Sequence, residues 1–281
     1  MRTADKIALA KVAYRFVSFA RGVVGKTDRC TIVRGKNRLE LDLSEGVDFA
    51  AYLGIYERST KNALRRLVKA GTNVLDIGAN VGIHTVHLAR LVGANGQVFA
   101  FEPTLFAFAK LLRNLEINPD LRDRVIAERF FLGRTDSEPV PAAVYSSWPL
   151  AGSYGLHPRH LGKPMITDGA PCRTLDGYLA EQGNPHIAVV KLDVDGYEAD
   201  VLAGATRMMQ RDRPIFVMEI APYVLEEHGT SVRDLMAYFS PLEYEFFDER
   251  NAKPLEIDKV APALKEGASI NVVARSARTP T

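Results

Sequence analysis

The stretch Val74–Thr85, VLDIGANVGIHT, is a short apolar run, a turn with two glycines, and the start of a helix. A strand feeding such a turn and helix is the opening unit of a ligand-binding α/β sheet, which binds its ligand outside the carboxyl ends of the strands. The turn holds Gly78 and Gly82 with Asn80 between them. Neither the dinucleotide spacing G-x-G-x-x-G nor the phosphate loop G-x-x-x-x-G-K-[ST] is present. The strand also carries Asp76, and no lysine or arginine follows it in the turn. A phosphate seeks backbone N–H groups and positive charge, and an aspartate repels it.

Working outward, the next apolar run is Gln97–Phe101, and it ends in Glu102 and Pro103. An acid at that strand tip suits the two hydroxyls of a ribose. Glu102 alone therefore points to adenosine. Asp76 and Glu102 together, with no phosphate fingerprint, point to S-adenosyl-L-methionine, which carries an ammonium and a sulfonium and has no phosphate. On this reading Glu57, Asp76, Gly78, Asn80, Gly82, His84, Glu102, Pro103, Leu132 and Asp193 belong to a cofactor site. The bland alternative is that Asp76 caps the following helix and Glu102 is solvated.

From Asn73 onward, strands and helices alternate. Strands are expected at Val74–Ile77, Gln97–Phe101, Ile126–Leu132, Ile187–Asp193, Ile215–Ile220, Tyr244–Phe247 and Ile270–Ala274. Helices are expected at Ile83–Val92, Leu105–Ile117, Glu198–Gln210 and Val232–Phe239. Near-continuous apolar strands between amphipathic helices imply a mostly parallel sheet covered on both faces. Residues 71–281 are read as this domain and 1–70 as an N-terminal extension with a helix and a β-hairpin around Gly35-Lys36-Asn37. Residues 137–175, rich in Pro, Gly, Ser and aromatics, read as a substrate lid, since long loops in compact domains are usually functional or disordered.

The bulk composition narrows the classes. The chain has 281 residues, 36 Lys+Arg against 34 Asp+Glu and two cysteines, Cys30 and Cys172. A net charge of +2 makes no case for nucleic acid. Two distant cysteines make neither a disulfide framework nor a zinc site and suit a reducing, cytoplasmic setting. Lys6–Val24 is apolar but broken by Lys11, Arg15 and Arg21, which argues against a signal peptide. Ile7, Leu9, Val12, Phe16, Phe19 and Val23 follow helical spacing. They face either the domain or a second subunit, as in a homodimer, or else a membrane surface.

The segment NVLDIGANVGIHTVHLARLVGANGQVFAFEPTLFAFAKLLRNLEIN, from Asn73, resembles the cofactor half of the FkbM-type family of S-adenosylmethionine-dependent methyltransferases. VVKLDVDGYEADVLAGA, RTLDGYL and LELDLSEGVDFAAYLGIYERST resemble further segments of that family, the last including the Tyr56–Glu57 pair. The likeness covers roughly residues 30–220, and Asp195 and Thr104 depart from the family's commoner residues. The resemblance implies a class I methyltransferase: a Rossmann-like, seven-stranded, mostly parallel sheet with helices on both faces. It implies methyl transfer from S-adenosylmethionine to a hydroxyl, with a glycan, glycolipid or secondary-metabolite sugar as acceptor. Competing readings are a Mg²⁺-dependent catechol-type O-methyltransferase, an NAD(P)-dependent reductase, and a non-catalytic adenosyl-binding scaffold.

The remaining chemistry gathers around IAVVKLDVDGYEADVL. Strand alternation puts Lys191, Asp193 and Asp195 on one face, where unpaired charge is costly. Asp193 is the first choice for acceptor-side acid–base work, with Lys191 beside it. The next strand brings Glu219, and Asp193 with Glu219 are the residues on which Mg²⁺ would be held if a metal takes part. The loop offers Ser153, Tyr154, His157, Arg159 and His160. His157 is expected to take a proton, and Tyr154 and Arg159 to touch the substrate, with Trp148 as a stacking surface. Asp195 and Glu219 complete the substrate set. Glu57 is expected to meet the cofactor's ammonium or to brace the N-terminal segment.

Overall fold

The computed structural model describes residues 3–152, 155–157, 159 and 161–277. Helix α1 (Thr3–Val23) leads into a hairpin of β1 (Arg29–Arg34) and β2 (Asn37–Asp42), then α2 (Gly46–Leu53) and α3 (Arg58–Leu67). The alternating region follows as β3 (Asn73–Ile77), α4 (Ile83–Leu91), β4 (Val98–Phe101), α5 (Leu105–Glu116) and β5 (Val125–Glu128). Short strands β6 (Phe131–Leu132), β7 (Ala143–Ser146), β8 (Lys163–Ile166) and β9 (Cys172–Arg173) precede α6 (Leu175–Glu181). The second half runs β10 (Ile187–Leu192), α7 (Glu198–Ala203), α8 (Thr206–Asp212), β11 (Ile215–Ile220), α9 (Pro222–Glu227) and α10 (Val232–Phe239). It closes with β12 (Tyr244–Asp248), β13 (Pro254–Leu255), α11 (Ile257–Val260) and β14 (Ile270–Ser276).

The main sheet has the order β13-β12-β14-β11-β10-β3-β4-β5. Strands β3, β4, β5, β10 and β11 are mutually parallel, and β14 runs antiparallel between β11 and β12. Strand order reverses between β3 and β10, so the crevice falls where an open α/β sheet binds its ligand. The expected seven strands are present, and β13 adds an eighth, two-residue edge strand against Phe246 and Phe247. Its proline is tolerated because an edge position needs no second ladder partner.

Two apolar layers cover the sheet. Leu75, Val190, Phe216, Phe239 and Tyr244 belong to one; Val74, Val86, Val98, Leu111 and Val189 belong to the other. Neighbouring residues on one strand thus serve opposite layers, as a pleated strand requires. The N-terminal extension builds a smaller core from Leu39, Leu41, Leu43 and Phe49, which Leu150 of the lid segment joins. Asn114 and Asn118 on and after α5 lock the hairpin to the domain. They accept from the N–H groups of Glu40 (2.7 Å) and Arg38 (3.0 Å).

Three expected elements change form. The strand expected over Ile126–Leu132 divides into β5 and β6, and β6 leaves the main sheet to pair with β9. The helix expected over Glu198–Gln210 breaks between α7 and α8 at Gly204, whose carbonyl accepts from Asp176 N–H (2.8 Å). A Cβ on Gly204 would sit 2.3 Å from the Gly133 carbonyl oxygen, so this crossing of backbones admits only glycine. The lid segment contains a hairpin, β7–β8, paired from Ala143–Ile166 to Ser146–Lys163.

The N-terminal helix packs inward through Ile7, Ala10, Ala13, Tyr14 and Val17. Leu9, Val12, Phe16, Phe19 and Val23 are 64–75% exposed, so of the surfaces this stripe was expected to meet, the domain itself covers only Ile7.

Candidate active site

The turn after β3 is shaped by its neighbour strand. Gly78 has φ +76°, and a Cβ there would lie 1.7 Å from the Asp193 carbonyl oxygen. The close approach that demands glycine is therefore made to the protein's own backbone. Gly78 and Ala79 both donate to the Phe101 carbonyl (3.0 and 2.9 Å), which ties the turn to the tip of β4. Gly82, at φ +83°, packs against Leu111 and does not line the pocket. Asn80 has φ +50°, and its side chain accepts from Val81 N–H (2.8 Å), a local bond that holds the left-handed turn.

Asp76, expected at the cofactor, lies beneath the turn. It is fully buried, accepts from the Thr85 hydroxyl at 2.6 Å and lies 3.6 Å from Lys191 Nζ. It lies behind the turn and is not part of the pocket wall. Lys191 is buried at 4% exposure, donates to the Gly78 carbonyl (2.8 Å) and stands 3.6 Å from both Asp76 and Asp193. Burial alone would push its ammonium down; Asp193, Asp76 and Glu57 outweigh that and hold it above its ordinary value. Asp76 and Lys191 thus form a buried brace beneath the turn.

Glu102 occupies the wall itself. It is 6% exposed, and its carboxylate accepts from Asn80 N–H (2.9 Å), Thr104 N–H (2.9 Å) and the Thr104 hydroxyl (2.5 Å). Burial raises its carboxyl, against the pull of those bonds. Three acceptor positions are filled, which fixes the carboxylate and leaves one lone pair toward the cavity.

The pocket, about 250 Å³, is bounded by the turn, the β4 tip, the β7–β8 hairpin and the residues after β10. Glu57, Gly78, Asn80, Glu102, Pro103, Leu132, Asp193, Asp195 and Glu219 all line it, so nine of the expected site residues meet there. Its five charged lining residues, Glu57, Glu102, Asp193, Asp195 and Glu219, are all carboxylates. Among the described residues, no lysine, arginine or histidine lines it.

Sequence reasoning missed Phe101, Phe130 and Phe131, which give the pocket an apolar side, and Val144, Ser146 and Ser147 from the β7–β8 hairpin. The adjacent phenylalanines ending the expected strand were the available signal. Trp148, expected only as a sugar-stacking surface, lines this same wall.

Glu57 initiates α3 in a left-handed conformation, φ +36°, and faces the His84 ring at 2.7 Å. Burial acts upward on its carboxyl, but the His84 imidazole outweighs it and holds it down at about 2. His84 is therefore a partner of Glu57 behind the wall and does not line the pocket. Asp193, beside Lys191, is raised by burial, with Lys191 opposing. Glu219 is also raised, by burial and then by Asp193. Among the described residues no group of three His, Cys, Asp or Glu side chains is arranged to hold a metal ion.

His157 and Arg159 lie elsewhere. His157 Nε2 is 3.4 Å from Glu227, and its ring packs edge-on against Tyr145. Arg159 bonds Glu227 (3.0 Å) and reaches Glu266 (3.7 Å). Neither lines the pocket. The pair joins the 137–175 segment to α9 through Glu227. Ser153, Tyr154 and His160 fall outside the described residues.

A doubly covered parallel sheet with an acid-walled crevice at its switch point defines a Rossmann-like α/β protein of the methyltransferase class. The chain belongs to the methyltransferase FkbM domain family, whose model matches residues 76–246. It is 30% identical over 156 residues to the 2-O-methyltransferase NoeI of Sinorhizobium fredii, a match covering 53% of this chain and 64% of that one. It is 33% identical over 142 residues to the hexuronic acid methyltransferase AglP of Haloferax volcanii, covering 48% and 50%. The chain thus spans half to just under two thirds of the length of these curated relatives. A crystal structure of methyltransferase FkbM from Methylobacillus flagellatus is similar at TM-score 0.43 and 17% identity, over 63% of this chain and 40% of that one.

Proposed function

We propose that this protein is an O-methyltransferase that uses S-adenosylmethionine and methylates a sugar hydroxyl. The observation that carries it is the pocket wall of five carboxylates and no basic side chain. A pyrophosphate coenzyme would meet repulsion there, while a cationic donor is attracted. Phe101, Phe130, Phe131 and Leu132 suit the flat adenine, and Glu102 the ribose. Bound there, the donor supplies a methyl group on a positively charged sulfur. Glu57, held ionised by His84, faces the amino-acid end. The names of the two relatives, a 2-O-methyltransferase and a hexuronic acid methyltransferase, support transfer to oxygen and, for the second, a sugar acceptor.

The protein's own work is positioning and proton removal. As the acceptor oxygen forms its bond to the methyl carbon, the carbon–sulfur bond breaks and the hydroxyl proton passes to Asp193. Lys191 fixes that carboxylate. Residues 137–175 act as the lid through the β7–β8 hairpin. Asp193 must be ionised to accept the proton, so turnover is lost as pH falls through its raised pKa. Asp193→Asn is expected to lower kcat about 10²–10⁴-fold, to abolish that acid limb and to leave S-adenosylhomocysteine affinity nearly unchanged. Equal loss of donor affinity and turnover contradicts the assignment.

We also propose that α1 rests on an anionic membrane surface. Its exposed stripe Leu9, Val12, Phe16, Phe19 and Val23 is flanked by exposed Arg15, Lys26 and Arg29, and the charge complements acidic headgroups. No described helix is long and apolar enough to cross a membrane. Flotation with phosphatidylglycerol vesicles but not phosphatidylcholine vesicles, lost in Phe16→Glu/Phe19→Glu, is the expected result. Absence of flotation, or concentration-dependent dimerisation removed by the same changes, overturns it.

A further inference from the structure

A second groove, about 790 Å³, opens beside the pocket over the carboxyl ends of β10, β11 and β12 and the start of β14. The two cavities share Glu57, Asp193 and Glu219, so the groove begins where the pocket ends. Most of the groove's charges already have partners. Lys191 is held by Asp76 and Asp193, Glu57 by His84, and Glu219 by the Ser269 hydroxyl. Asp248 accepts from the N–H groups of Arg250 (2.9 Å) and Asn251 (3.0 Å).

Two groove residues are left over. Arg58, at the start of α3, and Arg250, in the turn after β12, are both exposed. Neither guanidinium is engaged by a described residue. Glu249, beside Arg250, is 1% exposed, and its carboxyl is raised by burial against the pull of Thr60, Ser59 and Asn271, which line the groove with it, so it belongs to the groove floor.

We propose that this groove binds an anionic sugar as the methyl acceptor, with Arg58 and Arg250 on its negative group. Planar guanidinium groups are matched to carboxylate and phosphate oxygens. A sugar seated this way places its neighbouring ring at the Asp193–Glu219 junction, next to the donor. This inference rests on the O-methyltransferase reading and specifies its acceptor.

The test uses the full chain and calorimetry, with and without saturating S-adenosylhomocysteine. The probes are methyl glucuronoside, glucose 6-phosphate and methyl glucoside. At least one anionic sugar is expected to bind about tenfold or more tightly than the neutral glucoside, and the two anions separate a carboxylate from a phosphate acceptor. Arg58→Ala/Arg250→Ala is expected to erase that preference while S-adenosylhomocysteine affinity stays intact, which also shows that the variant is folded. Equal binding of neutral and anionic probes, a preference that survives the double substitution, or no sugar binding at all overturns the inference. Failure of S-adenosylhomocysteine to bind overturns the donor reading instead, and the sugar titrations without donor still report on the groove.

Discussion

The tips of β3 and β4 are adjacent parallel strand ends, each bearing an acid, yet the two acids do different work. Asp76 lies one layer behind the cavity, spent on Thr85 and Lys191. Glu102 stands in the wall, held by Asn80 and Thr104 with capacity to spare. The pairing register sets Asp76 opposite Ala100 and Lys191, whereas Glu102 lies just beyond the last paired residue, Phe101. An acid inside the ladder braces the sheet; an acid one step past it is free to meet a ligand.

That contrast is broken most forcefully at Asp76. Asp76→Ala removes one of the two carboxylates paired with the 4% exposed Lys191 and leaves Asp193 as its one remaining ion-pair partner among the described residues. The expected loss is about 3–5 kcal/mol of stability, as for other broken buried pairs, measured by urea unfolding. A variant as stable as the parent would show that the brace contributes nothing. Glu102→Gln keeps shape and two of the three anchoring geometries, and should cost stability little. Its expected effect is about 1–3 kcal/mol of donor affinity, the scale of a hydrogen bond to a charged group.

Much of this was legible in the sequence because it depends on local pattern. Val74–Ile77, Val98–Phe101 and Ile215–Ile220 are near-continuous apolar runs that only a covered sheet can bury, and the β4 tip places Glu102 without further information. The surroundings of Asp76 were not legible, because they depend on Lys191, 115 residues away, which becomes its neighbour only through the β10–β3 register. Nor were those of His157 and Arg159, which meet Glu227 on α9. The α1 stripe shows the limit of periodicity, which finds a face but not what the face meets. Gly78 was legible as a site residue and lines the pocket, but that its glycine is demanded by the Asp193 carbonyl was not, because that strand lies far away in sequence.

The central claim is that a wall of carboxylates, with Glu102 as its donor-facing member, selects a cationic sulfur donor over a pyrophosphate coenzyme. Calorimetry of the parent, Glu102→Gln and Asp76→Asn against S-adenosylmethionine and NADH tests it directly. The account predicts that S-adenosylmethionine binds, that NADH does not, and that Glu102→Gln weakens the donor more than a folded Asp76→Asn does. Tight NADH binding, or a donor affinity indifferent to Glu102, would contradict it.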